Sequence, residues 1–289
     1  MTETLILSGK DVRESCMGAV KGAAMKIKRE YGYAPTLAVV TVGDNKASQL
    51  YVRNKKSDCE KCGIAFEEHK FSEGISEETL IEAVKGIGNM KHIHGIIVQL
   101  PIPVYMNTRN VLSSIPKEKD VDCMNPYNIG RMYSGENTML PCTPYGILKL
   151  MKFYGINVAG KDCVVIGRSD IVGKPMSTLL MKMDATVTVC HSKSSDILKY
   201  TKNADIIIAA LGNKWFITED MIKPGAIIID VGINYTDDGK LCGDVSPGVI
   251  GVASAVTPVP GGVGPMTRLA LLLNTIKAAD NRHLIGELI

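Results

Sequence analysis

Three groups of residues in the first half of the chain have types and spacings suited to chemistry. In Tyr51-Val52-Arg53-Asn54-Lys55 the tyrosine and lysine are four apart, so on a helix they share one face. A lysine amine can move protons if burial or a neighbouring charge brings its pKa down from about 10.4. The same pair also describes the solvated face of a surface helix. Gln99 closes an apolar run just before Leu100-Pro101, at a strand end, where the sites of α/β proteins gather. Asp120-Val121-Asp122 lies in a connection rich in Pro, Asn, Gly and Ser, and reads as a turn as readily as a site. Spacing alone does not join these three groups.

A fourth group sits in the second half. Gly167-Arg168-Ser169-Asp170-Ile171-Val172-Gly173 follows the strand-like run Cys163-Val164-Val165-Ile166 and precedes a helical segment over about 175–183. Strand, glycine loop and helix together make a dinucleotide pyrophosphate site, because the helix start offers unpaired N–H groups and glycine lets the backbone come close. Ser169 stands where the second glycine of G-x-G-x-x-G would be, so a plain strand-to-helix turn also fits. Arg168 is placed to reach phosphate. The next strand ends in His191-Ser192-Lys193, where NAD enzymes carry a carboxylate for the ribose hydroxyl. With no carboxylate before Asp196, a hydroxyl and a lysine there favour a 2′-phosphate, hence NADP over NAD. An ordinary solvated strand end is the plainer reading of His191 and Lys193.

Elements of the right kinds exist to position these groups. Apolar residues at helical spacing predict a helix over 11–31, and others follow over 47–62, 76–90, 145–154 and 266–281. Ser76, with Glu77 and Glu78 behind it, reads as a helix start. β-Branched runs predict strands at 36–42, 64–71, 95–100, 163–166, 186–190, 205–209 and 226–230. Alternation of strands and helices implies parallel pairing, and continuous apolar runs suit a sheet covered on both faces. Residues 101–145 read as a largely irregular connection over the site. The expected fold class is α/β in two domains.

Length and composition agree with that. A chain of 289 residues suits two domains, and 45% hydrophobic with 22% charged residues is ordinary for a globular protein. One Trp and four Phe leave the core to Ile, Val, Leu and Met. A net charge of +3 without a basic run argues against a nucleic-acid surface. No secretion signal and no apolar stretch of ~18 residues are readable, so a cytoplasmic location and no membrane span are expected. The eight cysteines are expected to be free, and the lone Cys59-Glu60-Lys61-Cys62 to be structural rather than a metal or redox site.

Eight segments in order then resemble one family over nearly the whole chain: Tyr51-x-x-x-Lys55, GIIVQLPIP (95–103), KDVD (119–122), PCTP (141–144), GRSDIVGKP (167–175), ATVTVCHSK (185–193), KPGAIIIDVGIN (223–234) and TPVPGGVGPMT (257–267). The chain is similar to the bifunctional methylenetetrahydrofolate dehydrogenase/methenyltetrahydrofolate cyclohydrolases. The resemblance implies an N-terminal α/β folate and catalytic domain over 1–142 and a doubly wound Rossmann-type NADP domain over 143–265, with a cleft between them. It further implies a C-terminal helix, 266–289, returning to the first domain. It makes Lys55 the catalytic amine, Gln99 its partner and Asp122 the carboxylate that holds the pterin, with Tyr51 against the folate ring. Pro260, Gly261 and Gly262 correspond to a loop near folate and nicotinamide. The NADP contacts it implies are Gly167, Arg168, Ser169, Gly173, His191, Ser192, Lys193 and Ile233. Tetrahydrofolate derivatives, polyglutamylated ones included, would be the substrates, and a homodimer the assembly.

Three positions depart from the family pattern. Cys123 follows KDVD where glycine is usual, Ser246 replaces an acidic residue after Gly243-Asp244-Val245, and Arg268 follows GPMT where an apolar residue is expected. A glycine needing positive φ would leave Cys123 strained. The competing readings are a dehydrogenase with weak cyclohydrolase activity, a shikimate-type or amino-acid NADP dehydrogenase, and a folate- or nucleotide-binding protein without turnover. Tyr51, Lys55, Gln99 and Asp122 present together speak against the last two.

Overall fold

The computed structural model describes residues 3–136, 139–280, 283 and 285, with the side chains of 46 and 47 left aside. The chain forms two units, Ser15–Cys142 with Arg268–Ile289, and Met1–Glu14 with Thr143–Thr267. This differs from a first domain over 1–142, and the reason is a strand the sequence did not reveal. Leu5 and Ile6 form β1 and pair in parallel with Ala255 and Val256, so the chain start belongs with the second half. The division near the C-terminus falls at Thr267/Arg268, inside the last helix, α9 (Val263–Ala279), rather than at 265.

The unit that contains Lys55 is built on three parallel strands, β2 (Thr36–Val42), β3 (Ala65–Phe71) and β4 (Gly95–Val98), in the order β3-β2-β4. All seven residues of the central β2 are buried, as its unbroken Leu-Ala-Val-Val-Thr-Val run requires. The outer β3 carries the alternating exposure and the charges Glu67, Glu68 and Lys70. Helix α1 (Gly9–Tyr31) precedes this sheet, and α2 (Lys46–Cys62) and α3 (Glu77–Asn89) connect its strands. Asn45 caps α2 by accepting from the Ser48 N–H, and Gly63 at φ 71° ends it. Ser76 caps α3 as its sequence suggested. Val40, Leu80, Val84, Ile93 and Ile96 pack into one core between sheet and helix.

Residues 101–145 are more ordered than their composition implied. They contain α4 (Thr108–Ser113) and α5 (Pro126–Tyr133), started by the side chains of Asn107 and Asn125. At six and eight residues they are too short to show helical periodicity. Between them the fully buried Asp120 accepts from the N–H groups of Met124 and Asn125 and from Asn128 Nδ2, at 2.8–3.0 Å. Asp120 thus builds the loop on which Asp122 stands.

The other unit holds a six-stranded parallel sheet ordered β1-β11-β8-β7-β5-β6. Its strands are β5 (Asp162–Ile166), β6 (Thr186–Cys190), β7 (Ile206–Ala209), β8 (Ile227–Asp230) and β11 (Ala255–Val256), besides β1. Helices α6 (Cys142–Phe153), α7 (Gly173–Lys182) and α8 (Leu198–Thr201) accompany them. A small antiparallel pair, β9 (Asn234–Tyr235) and β10 (Leu241–Cys242), stands apart. Strands of two residues leave no alternation to detect, which is why β1, β9, β10 and β11 were not foreseen.

All eight cysteines are free and buried. Cys123 has φ 54°, and its thiol donates to the Met139 carbonyl at 3.1 Å. Left-handed backbone costs a non-glycine residue about 1–2 kcal/mol, and the buried thiol offsets part of that. Replacing Cys123 by Ala keeps the strain and removes the thiol, so stability is expected to fall by about 1–2 kcal/mol. The Cys123→Gly protein should be about 1 kcal/mol more stable than the alanine variant, because only the φ term separates them. Urea unfolding of the three proteins measures both differences; a glycine variant weaker than the alanine one would mean that φ carries no cost here.

Candidate active site

Lys55 extends from α2 one turn after Tyr51, which is exposed. Its Nζ donates to Gln99 Oε1 at 2.7 Å. Gln99 lies just past β4, and its Nε2 donates to its neighbour's carbonyl, that of Leu100, at 2.7 Å. With the amide N–H occupied in that way, the carbonyl end of Gln99 must face the lysine. Spacing alone left these two residues apart, and the structure brings them into hydrogen-bond contact.

Lys55 is only partly exposed, and the protein packed around its amine desolvates it, lowering its pKa from the ordinary lysine value. The nearby Asp122 carboxylate opposes the shift, with smaller opposition from Cys142 and Cys59. Burial pushes Cys59 up to about 12 and Cys142 well above its ordinary range. Neither thiol is charged at neutral pH, so Asp122 is the charge that matters to the amine. The site thus sets a lysine whose pKa is lowered by desolvation beside one half-buried carboxylate. A cavity of about 20 Å³ beside Gln99, lined also by Thr41, Ser48 and Pro101, has room for one water molecule.

Two further residues support this arrangement and were not singled out from the sequence. Buried Asn274, on α9, donates through Nδ2 to the carbonyls of Val121 at 2.8 Å and Leu140 at 2.9 Å. Cys142 Sγ donates to the same Val121 carbonyl at 3.3 Å. The residue preceding Asp122 is thus held from two sides. An asparagine in an otherwise apolar helix, LLLNTIKAA, was the available signal.

In the other unit the dinucleotide-type loop follows β5. Gly167 has φ 128°, and a Cβ there would meet the Ala210 carbonyl at 2.1 Å. A Cβ on Gly173 would meet the Gly167 carbonyl at 2.1 Å, so both positions admit only glycine. Ser169 Oγ accepts from the N–H groups of Val172 and Gly173 at 3.1 and 3.4 Å, fastening the loop to the start of α7. A cavity of about 400 Å³ opens here, lined by Gly167, Arg168, Ser169, His191, Ser192 and the 210–216 segment. That is within the range of small-molecule sites, about 300–1,000 Å³. Arg168 is exposed and makes no hydrogen bond or ion pair among the described residues. Lys193 is exposed and donates its N–H to His191 Nδ1 at 3.2 Å, while Ser194 Oγ accepts from the His191 N–H at 3.0 Å. The close glycine cradle, the free guanidinium of Arg168 and the polar side chains of Ser169 and Ser192 fit a dinucleotide phosphate. Ile233 is exposed beyond β8 and does not line this cavity. Pro260, Gly261 and Gly262 lie in this unit too, where the Gly261 carbonyl accepts from the Lys10 N–H at 2.9 Å.

Among the described residues no cluster of His, Cys, Asp or Glu is arranged to hold a metal ion, and no helix is long and apolar enough to cross a membrane.

Residues 7–122 match the catalytic domain of the tetrahydrofolate dehydrogenase/cyclohydrolases, and residues 141–283 match their NAD(P)-binding domain. The bifunctional protein FolD of Lysinibacillus sphaericus is 49% identical over 278 residues, 96% of this chain and 98% of its own. A crystal structure of the bifunctional FolD methylenetetrahydrofolate dehydrogenase/cyclohydrolase from Campylobacter jejuni superposes with a TM-score of 0.95 at 44% identity, covering 96% of this chain and 99% of that one. The Trypanosoma brucei methylenetetrahydrofolate dehydrogenase-cyclohydrolase, solved with NADP and an inhibitor, gives a TM-score of 0.93 at 33% identity, covering 99% and 100%.

The opposition between desolvation and Asp122 has a testable sign. A carboxylate favours the protonated amine, so neutralising it in Asp122→Asn removes an upward influence. The Lys55 pKa should then fall further below its ordinary value, and the amine should lose its proton at lower pH than in the parent. NMR titration of the Lys55 side chain in both proteins measures this; an upward shift would show that Asp122 is not the governing charge.

Proposed function

This chain belongs to the tetrahydrofolate dehydrogenase/cyclohydrolase family, and from that membership we propose how its own residues divide the two reactions between them. It is an NADP-dependent enzyme that oxidises 5,10-methylenetetrahydrofolate to 5,10-methenyltetrahydrofolate and hydrolyses that product to 10-formyltetrahydrofolate. The observation that carries the division of labour is the desolvated amine of Lys55 held at 2.7 Å by a neutral amide.

Bound NADP supplies the hydride acceptor. The oxidation needs no strong protein acid or base, since the pterin nitrogen lone pair expels the hydride, and the protein's part is alignment. Asp122 accepts from the amino-pyrimidone edge of the pterin, and Tyr51 lies along the folate ring system. Hydrolysis makes a different demand. As water adds to the methenyl carbon it must lose a proton, and a ring nitrogen must gain one as the C–N bond opens. Lys55 is the proton carrier, because desolvation shifts its amine toward the neutral form. Gln99 orients that amine without adding the charge that would hold it protonated.

Arg168, Ser192 and Lys193 receive the 2′-phosphate, with Gly167, Ser169, Gly173, His191 and Ile233 completing the cofactor contacts. Pro260, Gly261 and Gly262 face the folate. The enzyme works as a cytoplasmic homodimer on folates that include polyglutamylated forms. Support for these assignments is the family membership together with the free guanidinium and glycine cradle.

Two variants test the proposal. Lys55→Met should abolish hydrolysis and leave part of the oxidation, so methenyl product accumulates at its absorbance; equal loss of both steps with folate still bound would sink the division. Arg168→Ala should raise the NADP Michaelis constant roughly ten- to a hundredfold, the worth of a charge-assisted contact, and barely change NAD. A parent enzyme that prefers NAD would overturn the cofactor assignment.

A further inference from the structure

Two buried carboxylates, Asp230 and Asp244, lie in the unit with the six-stranded sheet and have been given no role so far. Neither is paired with a cation among the described residues. Asp244 Oδ2 accepts from the backbone N–H groups of Leu211 at 2.8 Å and Gly212 at 3.0 Å. Its Oδ1 accepts from the Asn213 N–H and from Asn234 Nδ2, both at 2.8 Å. Three consecutive backbone N–H groups thus converge on one carboxylate. Such a nest would otherwise invite a free anion. Asp230 holds Asp244 in turn, accepting from its N–H at 3.0 Å and from the N–H groups of Val245 and Gly232. Space is reserved for both: a Cβ on Gly243 would fall 1.8 Å from Asp230 Oδ2, and one on Gly232 2.5 Å from the Asp244 carboxyl.

The segment these bonds fix is a wall of the roughly 400 Å³ cavity, since Leu211 and Asn213 line it while Asp244 itself does not. We infer that Asp244 is a positioning residue for the dinucleotide site, shaping the 211–213 wall against which the cofactor binds. This rests on the reading of that cavity as the NADP site. An amide cannot replace the carboxylate. Asparagine at 244 has one acceptor oxygen, and in either orientation its NH₂ faces two donors, N–H of Leu211 and Gly212 or N–H of Asn213 and Nδ2 of Asn234. The wall must then move or leave buried donors unpaired.

The hydrolytic step consumes no nicotinamide, and its amine belongs to the other unit. The two activities therefore separate a local effect from general damage. In Asp244→Asn, calorimetric titration should show NADP binding weakened roughly tenfold or more. Stabilisation of the thermal melt by NADP should shrink accordingly, and hydrolysis of supplied methenyltetrahydrofolate without NADP should remain within about twofold of the parent. Asn234→Ala removes one of the four bonds without altering the carboxylate, and should weaken NADP roughly two- to fivefold by the same measurement; it decides the matter if the first variant does not fold. NADP affinity unchanged in the folded variants, or hydrolysis lost in parallel with it, would overturn the role of Asp244. A parent protein that fails to bind NADP would instead remove the dinucleotide reading, whatever the variants do.

Discussion

The unit that holds Lys55 is organised around one amine that is desolvated yet stands near a carboxylate. Desolvation lowers the pKa of Lys55, and Asp122 raises it, so the two must be balanced by placement rather than by adding another charge. Much of the Lys55 unit serves that balance. The buried strand β2 and its neighbour β4 carry Gln99 to the amine, and α2 carries the amine to Gln99. Asp120 builds the loop that bears Asp122, while Asn274 and Cys142 hold the backbone one residue before it. A shift of that loop would change the electrostatics of Lys55, since Asp122 is the carboxylate that acts most strongly on its amine.

A second regularity runs through both units. Buried carboxylates at 120, 230 and 244 are satisfied by backbone N–H groups and side-chain amides. Burial raises the pKa of Asp120 and of Asp230, and the hydrogen bonds each accepts oppose the shift, leaving Asp230 at about 6. Such bonds are directional, so they give an irregular segment one conformation where hydrophobic contact would permit several. The loops that must be precise are thus built around an acceptor, and the sheets beneath them around Val and Ile.

These two kinds of order differ in how plainly the sequence displays them. The strands TLAVVTV and CVVI, the helix begun by Ser76 and the glycine loop after Ile166 have local signatures, and they stand close to where their periodicity placed them. The pairing of Lys55 with Gln99 has none, because 44 residues separate them, and only resemblance suggested it. The loop-building carboxylates were equally hidden. Asp120 and Asp122 are chemically identical and two residues apart, yet one faces inward to backbone N–H groups while the other is half-buried near the amine. Which does which is decided by tertiary contacts with residues 124–128, beyond the reach of spacing. Strands of two residues and helices of six escaped for a simpler reason: they span too few repeats for a period to show.

The departures from the family pattern show how the fold accommodates an unusual residue. Arg268 stands where an apolar side chain was expected, near the start of α9, and it has a partner that explains it. Its Nη1 lies 3.3 Å from Oδ2 of Asp58, on α2 one turn beyond Lys55. The Asp58 side chain is only 4% exposed, too buried for a carboxylate without compensating charge. An apolar residue at 268 would remove the guanidinium that lies against Asp58 Oδ2. Together they form a pair whose net charge is zero, so it ties α9 to α2 while imposing little on the amine one turn away. Cys123 lacks such a partner for its strained φ, and only its thiol, bonded to Met139, compensates. Pairing at 268 and strain at 123 are two different ways of tolerating change, and only the first leaves the backbone at ease.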